Sequence, residues 1–152
     1  MEKKEKTFNL DAIPDDVLMN YYNHQYDRMS NLEEQRLAIT NITITLSILS
    51  FTFGFNMEST FSKTIGFALI AVMILANIFA IIYIVRTDSW IKTHELRAKG
   101  LLENRYINLL KFDTKTHHNY GRWAISRWKV QMMLHVLLAT IAVVIAVFLA
   151  IM

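Results

Sequence analysis

Three long apolar segments without a charged residue dominate the pattern of hydrophobic and polar positions along this chain. They are residues 37–55, 64–85 and 130–152, with lengths of 19, 22 and 23 residues. A hydrocarbon core of roughly 30 Å needs about 20 helical residues, so each segment is long enough to cross a membrane. A chain of 152 residues could not cover three such helices on every side in a soluble fold. The pattern predicts an all-α protein with three transmembrane helices.

The segment before the first span predicts a helix that continues into the membrane. Pro14 is followed by Asp15 and Asp16, and proline with acidic residues in the first turn is typical of a helix start. The next glycine or proline is Gly54. We therefore expect an amphipathic helix over 14–36 that runs without a break through the first span.

The segment between the second and third spans predicts a second helical extension. We expect the second span to continue as a helix into 86–129, with Gly100 as its weak point and a polar loop near 112–120. Residues 1–13 are expected to be a flexible N-terminus. Apolar residues at helical spacing mark one face of each extension: Leu18, Tyr22, Met29 and Leu32 in the first, and Ile91, Ala98, Leu101, Leu102 and Leu109 in the second. These faces could pack against each other or against neighbouring subunits.

Basic residues are distributed unevenly around the spans. Of the 16 Lys and Arg residues, five precede the first span, one lies between the first two, ten fall within 86–129 and none follows. Short loops rich in Lys and Arg stay in the cytoplasm. We therefore expect the N-terminus and 86–129 in the cytoplasm, and 56–63 and the C-terminus outside, in a bacterial inner membrane. Tryptophan and basic side chains expected at the inner interface are Arg86, Trp90, Arg122, Trp123, Arg127, Trp128 and Lys129.

The first span carries more hydroxyl and amide side chains than the other two. At 100° per residue, one group falls within a sector of about 80°. We call this group the first stripe; it contains Thr40, Thr43, Ser47, Ser50 and Gly54. A second stripe of Asn41, Thr45 and Thr52 lies nearly opposite. Either the first stripe lines a water-filled lumen made by several copies while the second packs against the other spans, or both are small-residue packing surfaces.

Two other polar side chains fall at membrane depth. Asn77 lies near the middle of the second span, and we expect it to form a hydrogen bond across helices. His135 in the third span is a functional candidate because it can ionise. It is about a turn and a half inside Lys129, so the sequence favours an interfacial position for its side chain.

Composition excludes several kinds of chemistry. The chain has no cysteine, which excludes disulfides, thiolate metal sites and a cysteine nucleophile. Neither a metal-binding spacing of histidines nor a phosphate-binding glycine loop nor a catalytic motif is present, so we expect no catalytic residue, metal or cofactor. The net charge of +3 suits a basic face beside anionic lipid, and no direct nucleic-acid binding is expected.

The junction into the first span resembles a group of small bacterial membrane proteins. Residues 22–41, YNHQYDRMSNLEEQRLAITN, contain a Tyr-rich amphipathic helix and an E-x-x-R stretch from Glu33 to Arg36 that runs into a Ser/Thr-rich span. This is similar to two-span SLATT-type effectors and to membrane accessories of retron, cyclic-oligonucleotide and CRISPR defence. The resemblance covers roughly 14–111, and the third span departs from the two-span pattern.

The resemblance implies an antiviral effector that oligomerises and breaches or depolarises the inner membrane when a cytoplasmic partner signals infection. The alternative is a non-conducting scaffold or sensor that recruits a cytoplasmic enzyme through 86–129. Neither hypothesis makes the protein an enzyme. The first stripe discriminates them, because a scaffold does not need a polar lumen.

Overall fold

A computed structural model describes residues 13–55, 60–107 and 126–151 of the chain. The described residues form three helices, which we number α1 (Asp15–Phe55), α2 (Thr60–Arg105) and α3 (Arg127–Ile151), and they contain no strand. Each helix includes a segment long and apolar enough to cross a membrane. The predicted all-α class is confirmed, and the three spans support a multi-pass membrane protein. Leu109, the predicted loop near 112–120, Arg122 and Trp123 lie outside the described residues.

The helix α1 begins where the sequence predicts and is not interrupted before Phe55. Asp15 and Asp16 occupy its first turn, where acidic side chains interact favourably with the helix dipole. The amide of Leu18 donates to the carbonyl of Pro14 at 3.2 Å, which closes that turn. In α2, Gly100 causes no break, and the helix continues to Arg105.

The chain divides into two compact units, and unit 1 contains the described residues 13–31 and 90–107. Its two helical segments run antiparallel, because Asp15 pairs with Arg105 while Gln25, ten residues further along α1, pairs with His94. The Arg105 Nη2 to Asp15 Oδ1 distance is 2.9 Å, and the His94 Nδ1 to Gln25 Oε1 distance is 2.7 Å. The Tyr106 hydroxyl also donates to Asp15, and this bond is the main cause that raises the pKa of Tyr106 above its usual value.

The apolar faces of the two extensions meet within unit 1. Leu18 of α1 and both Ala98 and Leu102 of α2 are buried. Tyr22 and Leu101, which belong to the same predicted faces, are partly buried. The faces therefore pack against each other in a single chain, as one of the two alternatives from the sequence requires, and a neighbouring subunit is not needed to cover them.

Unit 2 contains the described parts of 32–89 and 125–152, and so holds the three predicted spans. Buried positions on α1 and α2 alternate steps of three and four residues: 36, 40, 43, 47 and 50 on α1, and 66, 70, 73, 77, 80, 84 and 87 on α2. This spacing averages 3.5 residues and is the seam of helices packed as in a left-handed coiled coil. The seam of α1 is polar, whereas that of α2 is mostly apolar.

The outer surface of unit 2 is apolar, and its interior is partly polar. Ile70, Met73 and Ala142 form an apolar cluster between α2 and α3. Large apolar side chains such as Leu75 and Val144 are nevertheless exposed, at 66% and 62% of their surface. A continuous exposed apolar surface of this kind is typical of helices whose solvent is lipid.

Candidate functional site

A chain of hydrogen bonds joins the three membrane helices in the interior of unit 2. The Nδ2 of Asn77 on α2 donates to Ser47 Oγ on α1 at 2.9 Å. The same Nδ2 donates to the carbonyl oxygen of Met73, one turn earlier on α2, at 2.8 Å. On the other side, Asn77 Oδ1 lies 2.8 Å from Nδ1 of His135 on α3. We call the three side chains Ser47, Asn77 and His135 the polar bridge.

The polar bridge is closed off from the surroundings. Ser47 is 1% exposed, and Asn77 and His135 are fully buried. Because Asn77 Oδ1 can only accept, His135 Nδ1 is the donor and carries a hydrogen. The other ring nitrogen, Nε2, is buried and has no hydrogen-bond partner within the described part of the chain. In the neutral ring this nitrogen presents a lone pair.

Small and polar residues allow the helices to approach at the polar bridge. On α2, Ala80 is fully buried one turn after Asn77, and on α3, Ala142 is fully buried two turns after His135. Small residues at such positions let membrane helices pack closely, and side-chain amides then bond across the interface. Asn77 therefore occupies the place that its mid-span position indicates, and it contacts both other spans.

The first stripe faces the interior of the same chain. Thr40, Thr43, Ser47 and Ser50 are all buried, while the surroundings of Gly54 lie outside the described side chains. Within one protomer this stripe forms packing surface against the other spans. Its position favours the packing alternative over a lumen between copies.

The second stripe faces outward, whereas both alternatives from the sequence required it to pack against other helices. Asn41, Thr45 and Thr52 are exposed. The hydroxyls of Thr45 and Thr52 donate to carbonyls four residues earlier in α1, each at 2.9 Å. Such bonds satisfy a hydroxyl within its own helix and leave its methyl group outside, so threonine is tolerated on a lipid-facing surface.

The structure does not place the His135 side chain at the interfacial position that the sequence favours. Its side chain is fully buried and bonded to Asn77 rather than directed to the headgroup region. The distance to Lys129 in the sequence indicates the depth of His135 along α3, but the direction of a side chain around a helix depends on the neighbouring helices. Asn77 supplies the polar partner that stabilises a histidine in the interior.

Comparisons with protein-family models, with curated proteins and with solved structures found no match for this chain. What the chain does must therefore follow from its own side chains. No group of three or more His, Asp or Glu side chains within the described residues is arranged to hold a metal ion. The polar bridge joins polar side chains of all three membrane helices.

Charged and aromatic side chains gather at one end of unit 2, which we call the basic end. Glu33 lies between Arg36 and Arg127, with one carboxylate oxygen 3.8 Å from each guanidinium. The Tyr83 hydroxyl donates to Gln35 Oε1 at 3.2 Å.

The other predicted anchors include Arg86 and Trp128, which both make contacts. Lys129 Nζ lies 5.7 Å from the centre of the Trp128 ring, a cation–π distance. Trp90, in unit 1, is 52% exposed. The structure thus describes five of the anchors predicted for the inner interface: Arg86, Trp90, Arg127, Trp128 and Lys129.

The sequence does not reveal four buried polar atoms that have no hydrogen-bond partner among the described residues. They are Arg36 Nε, Thr40 Oγ1, Gln131 Oε1 and His135 Nε2. Arg36 and Thr40 are four residues apart on α1, and Gln131 and His135 are four residues apart on α3. That helical spacing is the signal that could have found Gln131, because residues four apart lie on one face.

Unit 1 contains a shallow apolar groove of about 410 Å³. Residues of both helical segments line it, including Val17 and Tyr21 from α1 and Gly100 and Asn104 from α2. A side-chain Cβ at Gly100 would meet no atom within 4 Å, so this position opens into the groove. The groove is a surface where an apolar side chain of another molecule could fit without moving the two helices.

Proposed function

We propose that this protein is a non-conducting membrane scaffold or sensor subunit that recruits a cytoplasmic enzyme through unit 1. The observation that carries the proposal is the burial of Thr40, Thr43, Ser47 and Ser50 within one chain. A pore along this stripe needs these hydroxyls to face water. Side chains that are buried inside one protomer do not line a lumen between copies.

Unit 1 supplies the recruiting surface in this proposal. Its apolar faces are covered by each other, so it does not need a second copy to bury them. The groove beside Gly100 and Asn104 offers a concave apolar contact. Predicted to lie in the cytoplasm, unit 1 would present this groove to a soluble partner beside the membrane.

Ion leak across vesicles that contain the purified protein tests the non-conducting part of the proposal. Proteoliposomes loaded with a potassium-sensitive or pH-sensitive dye should show no more leak than protein-free vesicles. Leak above that background would contradict it.

Photo-crosslinking in the native host tests whether unit 1 recruits a partner. A photo-crosslinking residue at Asn104, in the groove, should give one discrete adduct that the substitution Gly100→Trp abolishes, because the indole fills the groove. The same crosslinker at the exposed Glu103 serves as the positional control. An adduct that persists in Gly100→Trp would show that the groove is not the recruiting surface.

A second candidate is the membrane-depolarising effector of a bacterial antiphage system that the resemblance implies. Asn41 favours it, because its amide is exposed on the outer face of α1 and makes no side-chain hydrogen bond within the described residues. A polar amide facing lipid is costly, and a second copy could satisfy it. In this proposal copies assemble through the second stripe, and any lumen forms between them.

Assembly is expected to depend on Asn41 if the second candidate is right. In mild detergent the wild type would then run as a discrete species larger than the 17.7 kDa protomer with its micelle, and Asn41→Leu would reduce it to protomers. Thr140→Val is the matched control, since Thr140 is exposed on α3 and its hydroxyl already donates to the carbonyl of Val136. A monodisperse wild-type protomer would rule this candidate out.

A further inference from the structure

Two contacts in unit 2 bracket a short stretch of α1 and α3. At the basic end, Glu33 of α1 lies 3.8 Å from Arg127 of α3. At the other end, Ser47 of α1 and His135 of α3 bond to the same Asn77 side chain. Both helices leave the basic end in the same direction, so residues 33–47 of α1 and 127–135 of α3 lie alongside each other.

Four buried polar atoms that lack a hydrogen-bond partner in the described part of the chain fall within this stretch. Arg36 Nε and Thr40 Oγ1 belong to the stretch of α1, and Gln131 Oε1 and His135 Nε2 belong to the stretch of α3. Arg36, Thr40 and His135 are each less than one tenth exposed. Polar atoms buried without a partner cost about 1–3 kcal/mol each. Four such atoms in one short stretch need a common explanation.

Thr40 shows that the helix itself does not provide the missing partner. Thr45, Thr52 and Thr140 each donate to the carbonyl four residues earlier. Thr40 has the same option, yet its hydroxyl makes no such bond. Its hydroxyl is therefore available to a partner other than its own helix.

The capacity of these four atoms to donate or accept hydrogen bonds identifies the ligand that fits them. Arg36 Nε can only donate, Gln131 Oε1 can only accept, Thr40 Oγ1 can do both, and His135 Nε2 accepts in the neutral ring. A phosphate would need donors alone, and a metal cation would be repelled by Arg36. Water donates and accepts, and a buried water typically makes about three hydrogen bonds.

We propose that the stretch between the Glu33–Arg127 ion pair and the polar bridge is an internal water-binding site, whose bound water connects Arg36 to His135 Nε2. The site ends at Asn77, because both polar atoms of that amide are bonded within the protein. Water would thus reach the middle of the membrane from the basic end without crossing it. The proposal is independent of recruitment by unit 1, and it is compatible with a protein that does not conduct.

The unfolding stability of a variant that keeps the shape of Thr40 but lacks its hydroxyl distinguishes a hydrated site from a dry one. Thr40→Val keeps the shape of the side chain and removes the hydroxyl. If water is bound, the variant loses a hydrogen bond, and its unfolding equilibrium constant should rise about fivefold. If the site is dry, the variant removes a buried hydroxyl that has no hydrogen-bond partner. The unfolding constant should then fall, which would overturn the proposal. Thr45→Val is the matched control one turn away.

Solid-state NMR of the full chain in bilayers measures the water directly. Magnetisation from water should build up faster on Thr40 and on the His135 ring than on Thr45, which faces outward and bonds to its own helix. Equal or slower build-up on Thr40 would overturn the proposal. Potassium leak in proteoliposomes reports separately on the proposed function, so the two can fail independently.

Discussion

Substituting leucine for Thr43, Ser47 and Ser50 together is expected to prevent the three membrane helices from packing into unit 2. All three side chains are buried in the interface of α1 with its neighbours. Inserting larger side chains into a packed interior costs about 1–3 kcal/mol at each site. The sum is comparable with the whole stability of a typical domain, about 5–15 kcal/mol. Folded fraction after purification, measured by protease resistance in detergent, should fall to near zero.

The outward face of α1 provides the control for this triple variant. Thr45→Leu together with Thr52→Leu adds apolar surface where the side chains are already exposed, so it should leave protease resistance unchanged. A triple variant as resistant as the wild type would mean that Thr43, Ser47 and Ser50 face open space. That result would restore a lumen along the first stripe.

Asn77→Leu is expected to destabilise unit 2 by about 2–4 kcal/mol, because it leaves buried polar groups of Ser47 and His135 without their partner. The measurement is the free energy of unfolding in mixed micelles. Asn41→Leu is the matched control: the same chemical change on an exposed amide should leave this free energy unchanged or raise it. Similar effects of the two substitutions would contradict the polar bridge.

A double-mutant cycle separates loss of the bridge from loss of packing. Replacing both partners of a buried hydrogen bond by apolar groups costs less than removing one of them. Asn77→Leu combined with His135→Leu should therefore cost less than the sum of the single variants. Additive costs would show that Asn77 and His135 do not interact.

The three helices long and apolar enough to cross a membrane could be predicted from the sequence. Uninterrupted charge-free stretches of 19 to 23 residues match the thickness of a bilayer, and few other arrangements tolerate them. The single helix from Asp15 to Phe55 follows from Pro14 at its start and the absence of a breaker before Gly54. Helical periodicity likewise located the apolar faces that meet in unit 1.

The direction of the polar faces could not be predicted in the same way. Periodicity places the first and second stripes on opposite sides of α1, but it does not say which side meets the other spans. That choice depends on which residues of α2 and α3 lie at the same depth. Asn77 and His135 are 58 residues apart in the chain, so their pairing requires the tertiary arrangement of the helices.

The order in which the polar bridge can form has a consequence for the synthesis of the protein. Ser47 can bond to Asn77 only after 30 more residues have been synthesised, and Asn77 can bond to His135 only after a further 58. The first helix is the least apolar of the three candidate spans, and it leaves the ribosome before Asn77, the partner of its Ser47 side chain, has been synthesised. A nascent or truncated chain lacking α3 would therefore leave the Asn77 side-chain carbonyl oxygen without its His135 partner inside the bilayer, where an unsatisfied polar group is costly.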